Sequence, residues 1–297
     1  MSELKEFFCV DASKYDETKQ FQVVRPASLS NPQNNAVMFV TEGFLKYWEA
    51  VLSVKDCIVI WPENHPVPEE LAQRHAVILS KEPRYGFAEF FHENNVTYNT
   101  MPKPYRVENG AMICEGAKIG EGTVIFPGAY IDGDVKIGKN CYIASGVRIV
   151  GKVQIGDDCI IRENTVIGSD GLTTRRNGEG KIITIPQFGG VSIEDNVQIG
   201  ANTVICKGAI DDTVIGSGSR IDNCSFISHN VKMGKDTIVV GEVLMMGSSS
   251  TGERAYLSGN VVVRDGVSIG KDALVGMGAV VTKDVPDGVT VKGNPAK

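Results

Sequence analysis

A six-residue repeat of isoleucine is the feature that most constrains the fold of this 297-residue chain. Ten consecutive isoleucines stand six residues apart between Ile113 and Ile167. The period resumes over residues 193–205, shifts in phase by four residues, and then continues from Ile215 to Val281 with almost every position apolar. Internal periodicity of this kind indicates a repeat architecture in which each unit packs only on its neighbours.

A longer period of three hexads is superimposed on the first. It is marked by glycines at positions 120, 138 and 156, and again at 216, 234, 252 and 270. The two periods predict a coil with three short faces and one branched apolar residue pointing inward from each face. We expect a glycine at one corner of every turn because glycine adopts backbone angles that other residues resist. The repeats make about eight coils, stacked at a strand spacing of about 4.8 Å.

The part of the chain before the repeat has a different pattern. Residues 1–105 alternate short β-rich runs with segments in which apolar residues have helical spacing, which predicts a small α/β domain. Prolines in 99–106 mark a linker. The predicted fold is therefore mainly β, with the small α/β domain 1–105 preceding a parallel β-helix over 106–297 that carries a loop insertion at 169–190.

Composition excludes several classes of partner. The chain has a net charge of −6 and no basic run, so electrostatics give no case for nucleic acid. No apolar run approaches the ~20 residues that a membrane span needs. The start of the chain lacks the layout of a signal peptide, and seven cysteines without a C-x-x-C pair fit free thiols, so we expect a cytoplasmic protein. Cys141 and Cys159 are three hexads apart and should stack as packing residues rather than as a metal or redox site.

The insertion at 169–190 interrupts the repeat, and long loops in compact folds are usually functional or disordered. Arg175 and Arg176 on it are candidates to bind a phosphate of the substrate. The alternative is a solvated charge pair on a mobile loop.

His229 is the only one of the four histidines that follows residue 92. It stands two places after the inward Ile227, which predicts a position on the outer surface near a corner. An imidazole is suited to taking a proton from an attacking amine near neutral pH. The alternative is an ordinary surface histidine.

Several glycines after His229 are spaced by the three-hexad period. Gly247 falls three hexads later, so its backbone N–H should lie beside the histidine without an intervening side chain, which is what an oxyanion donor needs. Gly241 and Gly259 stack in the same way and would leave a groove for a thin, extended ligand. All three could also be corner glycines and no more.

Several short motifs resemble a known family. The segments "IGSDG", "IPQ", "GAIDDT", "IDN" and "ISHN" occur in this order between residues 167 and 230. In that order they resemble UDP-3-O-acylglucosamine N-acyltransferases, and the hexads resemble the left-handed parallel β-helix of acyltransferases. The resemblance covers roughly residues 20–285.

The resemblance implies an activity and a set of roles. His229 would be the general base that deprotonates a sugar amine attacking an acyl thioester, with Asn223 beside it and the Gly247 amide holding the oxyanion. The family works as a homotrimer with sites between neighbouring subunits. It implies no metal and no tightly bound cofactor, with acyl-CoA or acyl carrier protein as co-substrate.

The acceptor motif departs from the family pattern F-x-x-N-x-x-Y. Phe39 matches, but Glu42 and Leu45 occupy the other two positions. The resemblance therefore implies a nucleotide-linked sugar without specifying its base.

The end of the chain resembles a different group. "GAVVTKDV" is similar to the last coil of acetyl-CoA-dependent sugar acetyltransferases, in which Gly276, Gly278 and Lys283 would match positions along CoA.

Together these features favour an N-acyltransferase that uses acetyl-CoA or a short acyl-CoA to acylate a nucleotide-linked amino sugar for cell-surface polysaccharide. One alternative is UDP-3-O-acylglucosamine N-acyltransferase of lipid A synthesis, with an acyl carrier protein donor. Another is a noncatalytic trimeric scaffold. A zinc carbonic anhydrase is disfavoured because its site needs three histidine ligands.

Overall fold

The computed structural model describes residues 7–96, 103–176 and 179–294. Contacts divide the chain into two compact units: Met1–Thr100 with Leu172–Phe188, and Met101–Gly171 with Gly189–Lys297. Part of the predicted linker, residues 99–102, lies outside the described residues. Its last residues belong to the strand Tyr105–Glu108.

The first unit contains a parallel sheet of four strands. In spatial order these are Arg25–Pro26, Ala36–Phe39, Ile58–Pro62 and Ala76–Ser80. A separate antiparallel pair joins Val10–Asp11 to Gln22–Val23. The strand Ile58–Pro62 is buried along its whole length, as expected of a central strand in a parallel sheet.

Helical segments connect these strands. They are the α-helices Glu69–Arg74 and Pro83–Glu93 and the 3-10 segments Ala12–Lys14 and Glu42–Ser53. Pro83 opens its helix at a position where the missing N–H costs nothing. The same helix buries Phe87, Phe90 and Phe91, so aromatic packing holds it in the unit.

The insertion contains a hairpin that packs within the first unit. Thr174–Arg176 pairs antiparallel with Ile182–Thr184. Phe188 then lies with its ring centroid 4.8 Å from that of Phe91. An apolar anchor of this kind explains why Leu172–Phe188 groups with the first unit rather than with the repeats that flank it in sequence.

The second unit is a β-helix with three sheets, one for each face of the coil, and all neighbouring strands in them are parallel except the first pair of sheet 2, Tyr105–Glu108 with Ala111–Cys114, which is antiparallel. Sheet 1 consists of Val124–Ile125, Tyr142–Ile143, Ile160–Ile161, Gln198–Ile199, Arg220–Ile221, Ile238–Val239, Tyr256–Leu257, Leu274–Val275 and Thr290–Val291. Sheet 2 consists of Tyr105–Glu108, Ala111–Cys114, Tyr130–Ile131, Arg148–Ile149, Val166–Ser169, Val204–Cys206, Phe226–Ile227, Leu244–Met245, Val262–Val263 and Val280–Val281. Sheet 3 consists of Lys118–Ile119, Val135–Ile137, Val153–Ile155, Val191–Ile193, Thr213–Ile215, Lys232–Met233, Ser250–Thr251 and Ser268–Ile269.

The repeated isoleucines form the core of the β-helix. The strand register places isoleucines of neighbouring coils opposite each other, Ile143 opposite Ile161 in sheet 1 and Ile149 opposite Ile167 in sheet 2. These residues are fully buried in one continuous apolar cluster. Each coil therefore hydrogen-bonds to its neighbours through its backbone and packs against them through one branched side chain per face.

The predicted reason for the repeated glycines is wrong. None of the seven has a positive φ; the left-handed position comes two residues later and is often Asn or Asp, as at Asn140 and Asp158. The glycines are required by close stacking instead. A β-carbon on Gly138 would lie 2.5 Å from the carbonyl carbon and oxygen of Gly156 in the next coil.

The four-residue phase shift widens one coil. Ile205 pairs with Ile227 across this longer coil, whereas Ile227 pairs with Met245 across a coil of the normal three hexads. The additional residues form the corner between Val204–Cys206 and Thr213–Ile215. Asp212 helps to fix this corner by accepting a hydrogen bond of 2.7 Å from the Gly190 N–H.

Cys141 and Cys159 stack inside the β-helix as part of its core. The Cys159 N–H donates to Cys141 Sγ at 3.4 Å, and both thiols are free. Their contacts are those of packing residues. No helix among the described residues is both long enough and apolar enough to cross a membrane.

Candidate active site

His229 stands at the corner of the β-helix between sheets 2 and 3. It follows the strand Phe226–Ile227, which leads from the buried Ile227 through Ser228 to the surface. The histidine is half-buried. The strand before it is fixed on both sides by its ladders to the neighbouring coils, so the position of the imidazole is set by the scaffold rather than by a loop.

Gly247 occupies the corresponding corner position one coil later. A β-carbon there would lie 2.5 Å from Cε1 and 2.6 Å from Nε2 of His229. The Ser248 N–H donates to the His229 carbonyl at 2.9 Å, which ties the two corners together. Any side chain at position 247 would occupy the space in front of Nε2.

Gly171 approaches the same imidazole from another side. Its β-carbon would lie 2.7 Å from Cβ and 2.8 Å from Cδ2 of His229. The ring is therefore confined by two backbone segments that can come so close only because both residues are glycine. Gly171 ends the part of the insertion that belongs to the second unit.

The two ring nitrogens of His229 have different surroundings. Nδ1 is buried and has no hydrogen-bond partner among the described residues. Nε2 lies beside the Gly247 backbone and is not buried in this way. Nε2 is therefore the ring nitrogen that a substrate can reach, and in the tautomer with its hydrogen on Nδ1 it accepts a proton.

The Gly247 amide is a backbone donor beside the imidazole. Within the described part of the chain, its N–H donates no backbone hydrogen bond, whereas the flanking Met246 and Ser248 amides both do. An uncommitted N–H beside a histidine can hydrogen-bond to a negatively charged oxygen that develops during acyl transfer.

Asp265 continues this line of corner residues on the next coil. Its Oδ1 lies 2.8 Å from the position that a Gly247 β-carbon would take. The residue is exposed. A carboxylate and Nε2 therefore both lie within 2.8 Å of the same point beside Gly247.

An ion pair with a buried lysine lies on the other side of the histidine along the helix axis. Because Ile205 pairs with Ile227, Lys207 occupies the position of His229 one coil earlier. The Lys207 ammonium lies 2.7 Å from Asp170 Oδ1, and the lysine side chain is only 7% exposed.

Burial alters the proton affinity of both members of this pair. Loss of water around the ammonium lowers the pKa of Lys207 to about 8. The same loss of water raises the pKa of Asp170 above its usual range. The carboxylate stays half-exposed, so the lysine is the member more affected by burial.

Asn223, Gly241 and Gly259 lie at a different corner, between sheets 1 and 2. The Glu242 N–H donates to the Asn223 carbonyl, and the Asn260 N–H donates to the Gly241 carbonyl, so the three form a column over successive coils. Within one chain, a strand of sheet 2 separates this column from His229. The structure thus does not bring Asn223 and His229 together in one subunit.

The C-terminal candidates continue the same column. Gly276 and Gly278 flank Met277, whose side chain is 80% exposed. The Gly278 N–H donates to the Gly259 carbonyl at 2.9 Å. Lys283 lies further along the chain and is exposed.

The remaining predicted residues belong to the first unit. Phe39 ends its strand with its ring 4.8 Å from Phe87 and 5.8 Å from the Arg84 guanidinium. Arg175 and Arg176 lie in the hairpin of the insertion, where each donates to a nearby backbone carbonyl.

Sequence reasoning missed three contributors to the His229 corner. Asp265 could have been found, because it lies three hexads after Gly247 as Gly247 does after His229. Gly171 and Lys207 lie in the coils of irregular length, where no simple period predicts alignment. Among the described residues, no group of three or more histidine, cysteine or acidic side chains could hold a metal ion.

Family models match most of the β-helix. The "Bacterial transferase hexapeptide (six repeats)" model matches residues 116–151 and 134–169. The "Hexapeptide repeat of succinyl-transferase" model matches residues 190–228 and 250–283. Both models describe hexapeptide repeats. The predicted hexad architecture is therefore confirmed.

Curated relatives of this hexapeptide-repeat chain support the predicted resemblance. It is 41% identical over 131 residues to "UDP-3-O-acylglucosamine N-acyltransferase" of Methylobacterium nodulans, covering 44% of this chain and 37% of the relative. It is 36% identical over 137 residues to the protein of the same name from Caulobacter sp., covering 46% and 40%. The resemblance to proteins of this name is confirmed, and the match spans about two fifths of their length.

Solved structures agree on the fold. UDP-N-acetylglucosamine acyltransferase from Francisella novicida matches with a TM-score of 0.57 at 29% identity, covering 63% of this chain and 66% of the other. The enzyme of that name from Campylobacter jejuni matches with a TM-score of 0.58 at 25% identity, covering 65% and 73%. The prediction of a mainly β protein with a left-handed parallel β-helix is confirmed.

Proposed function

We propose that this chain is an N-acyltransferase that moves an acyl group from a thioester to the amine of a nucleotide-linked amino sugar. The observation that carries the proposal is the arrangement of His229, whose accessible nitrogen Nε2 lies beside the backbone of Gly247 with no side chain between them. The named activity of the curated relatives supports the same reaction class. Their name also favours an acceptor of the UDP-3-O-acylglucosamine type.

The proposed reaction is a direct attack. The amine nitrogen bonds to the thioester carbonyl carbon, and Nε2 of His229 takes one of its protons. The Gly247 N–H donates to the oxygen that becomes negative in the tetrahedral intermediate. When the C–S bond breaks, the imidazolium returns the proton to the leaving thiolate, so that an amide and a thiol are the products.

The name of the relatives favours the lipid A reading over the reading with acetyl-CoA. In the lipid A reading, the donor is an acyl carrier protein that delivers a long hydroxyacyl chain. The groove for the donor would be the column of Asn223, Gly241 and Gly259, where the absence of side chains at two successive coils leaves room for an extended chain.

Acetyl-CoA or a short acyl-CoA remains the second candidate donor because of the end of the chain. Gly276 and Gly278 border the column at its last coil, and Lys283 offers an exposed cation for a phosphate. The first unit, with Phe39 and the hairpin that carries Arg175 and Arg176, is proposed to bind the nucleotide sugar.

The proposal includes a homotrimer. Ile238, Tyr256 and Leu274 stack on the outer surface of sheet 1, each about two fifths exposed. Apolar side chains in a continuous outward row are typical of a surface covered by another subunit. In such an assembly, Asn223 of one subunit would serve the His229 of a neighbour. A cytoplasmic location belongs to the same proposal.

The test is acyl transfer by the purified full chain. UDP-3-O-acylglucosamine is offered with either a 3-hydroxyacyl-loaded acyl carrier protein or acetyl-CoA, and the N-acylated product is measured. Product with the carrier protein alone supports the lipid A type of reaction, and product with acetyl-CoA alone supports the short-chain reading. Neither product, together with no binding of either donor, favours a noncatalytic trimeric scaffold and contradicts the proposal.

A further inference from the structure

Asp265 stands in one line with His229 and Gly247 along the axis of the β-helix. Ile227 pairs with Met245, and Met245 pairs with Val263, so the residues two places after each are successive members of one corner. Sheet register therefore brings together a histidine, a glycine and a carboxylate that are separated in sequence by one regular coil each.

The Asp265 side chain is directed back along this line. Its Oδ1 lies 2.8 Å from the position of a Gly247 β-carbon, and His229 Nε2 lies 2.6 Å from the same position. The distance between Nε2 and Oδ1 is therefore no larger than the sum of these two values. Within the described part of the chain, the Asp265 side chain takes part in no hydrogen bond or ion pair, and it does not bond directly to His229.

A gap of this size fits one nitrogen atom. Hydrogen bonds from N–H to nitrogen or oxygen acceptors span about 2.7–3.2 Å, so one amine placed in the gap reaches Nε2 with one hydrogen and Oδ1 with another. Because residue 247 is a glycine, no side chain of that residue stands between the two groups.

We propose that Asp265 binds the attacking amine of the acceptor and makes this site selective for an amine over a hydroxyl. The inference rests on the proposed N-acyl transfer and adds the group that recognises the nucleophile. As the amine attacks, its nitrogen gains positive charge while it still carries a second hydrogen. The carboxylate accepts that hydrogen and stabilises the charge in the transition state.

A hydroxyl nucleophile cannot use this carboxylate. Its single proton goes to Nε2 of His229, which leaves an oxygen lone pair facing Oδ1. Two negative acceptors at this distance repel each other instead of forming a hydrogen bond. In amine transfer, by contrast, one proton moves to His229 and then to the leaving thiolate, and the second hydrogen remains on the amide product.

The experiment compares two acceptors that differ at one group. UDP-3-O-acylglucosamine and the matched UDP-3-O-acylglucose, in which a hydroxyl replaces the amine, are assayed with the donor that the wild-type chain uses. Asp265→Asn keeps the size of the side chain and removes its charge. Asp236→Asn is the matched control, since Asp236 is exposed at the corner between sheets 3 and 1.

Asp265→Asn should lower kcat/KM for the amine about 10- to 100-fold, the usual effect of one charge-assisted hydrogen bond. The hydroxyl acceptor should be unaffected or improved, so that the amine-to-hydroxyl ratio falls by the same factor. Asp236→Asn should leave the ratio unchanged. An unchanged ratio in Asp265→Asn, or an equal loss for both acceptors, would overturn the proposal.

Binding of both acceptors by calorimetry separates this inference from the proposed function. A wild-type chain that transfers acyl groups to neither acceptor contradicts the function. The binding measurement still tests Asp265 in that case, because the wild type should bind the amine acceptor more tightly than the hydroxyl acceptor and Asp265→Asn should lose that preference. If the wild type shows no difference between the two acceptors in turnover or in binding, the assignment of Asp265 is overturned.

Discussion

Nε2 of His229 lies 2.6 Å from the point where a β-carbon of Gly247 would be, a separation that real β-carbons do not tolerate. The two residues come from successive coils whose register is fixed by strand pairing between Phe226–Ile227 and Leu244–Met245. A repeat that provides rigidity thus also brings the Gly247 backbone against the imidazole, where no side chain of residue 247 fits beside Nε2.

Gly247→Ala should abolish transfer while leaving the fold intact. The new methyl group would force the imidazole out of place and fill the space of the nucleophile, so we expect kcat to fall at least about 100-fold. Gly247 does not have a positive φ, so alanine introduces no backbone strain there. The measurement is kcat together with the thermal unfolding midpoint.

Gly43→Ala is the control for this substitution because no atom lies within 4 Å of its β-carbon position. It should change neither quantity. Near-normal turnover in Gly247→Ala would show that the space beside His229 is not where the nucleophile reacts.

The Lys207–Asp170 pair predicts a pH dependence of stability. Lysine titrates near 10.5 in an unfolded chain, whereas burial lowers the pKa of Lys207 to about 8 in the folded protein. Between these values the folded state binds fewer protons than the unfolded state, so the free energy of unfolding should rise with pH in this window. A single group that is protonated in the unfolded state and deprotonated in the folded state raises the free energy of unfolding by at most about 1.4 kcal/mol per pH unit.

Chemical denaturation of the wild type and Lys207→Met at pH 7 to 10 isolates this contribution, because other groups titrate equally in both proteins. As the pH rises, the unfolding free energy of the wild type should increase relative to that of Lys207→Met. A decrease relative to Lys207→Met would mean that attraction to Asp170 outweighs burial and raises the pKa of Lys207.

The stacked glycines predict a stability effect that differs from that of ordinary surface glycines. Gly138→Ala would place a methyl group 2.5 Å from backbone atoms of Gly156, which cannot move without disturbing the ladder. We expect a loss of about 1–3 kcal/mol in the free energy of unfolding, the usual cost of overpacking. Urea denaturation measures it, and a loss no larger than that of Gly43→Ala would contradict close stacking as the reason for these glycines.

The outward apolar row predicts the assembly. Tyr256→Asp places a charge in the middle of the row formed with Ile238 and Leu274 and should convert a trimer to monomers. Light scattering during size-exclusion chromatography gives the mass. Tyr47→Asp, at an exposed aromatic of the first unit, should leave the assembly unchanged, and a wild-type monomer would refute the proposed trimer.

The β-helix was predictable because its core repeats. One side chain per face points inward, so the six-residue spacing of Ile143, Ile149 and Ile155 marks one strand in each of the three sheets. The glycine corners were misinterpreted because close approach and positive φ both select glycine, and the sequence does not distinguish them. The placement of Leu172–Phe188 was not predictable, since it depends on aromatic packing of Phe188 and not on a period.

The site was predictable only where the coil length is regular. His229 and Gly247 are three hexads apart, and their proximity follows from the period. Gly171 reaches the same imidazole across the insertion, and Lys207 reaches its position across the longer coil. In those coils the contacts depend on how the additional residues turn the corner, which the sequence pattern does not encode.

The most direct test of the account is the rate of acyl transfer to UDP-3-O-acylglucosamine by the wild type and by His229→Ala, with His92→Ala as the control in the first unit. We expect His229→Ala to lose about 10²–10⁴-fold in kcat, the usual contribution of a general base, with an unchanged oligomeric mass and unfolding midpoint. His92 is exposed, and its substitution should have no effect. Equal rates in the wild type and His229→Ala would contradict the role of His229 and, with it, the proposed mechanism.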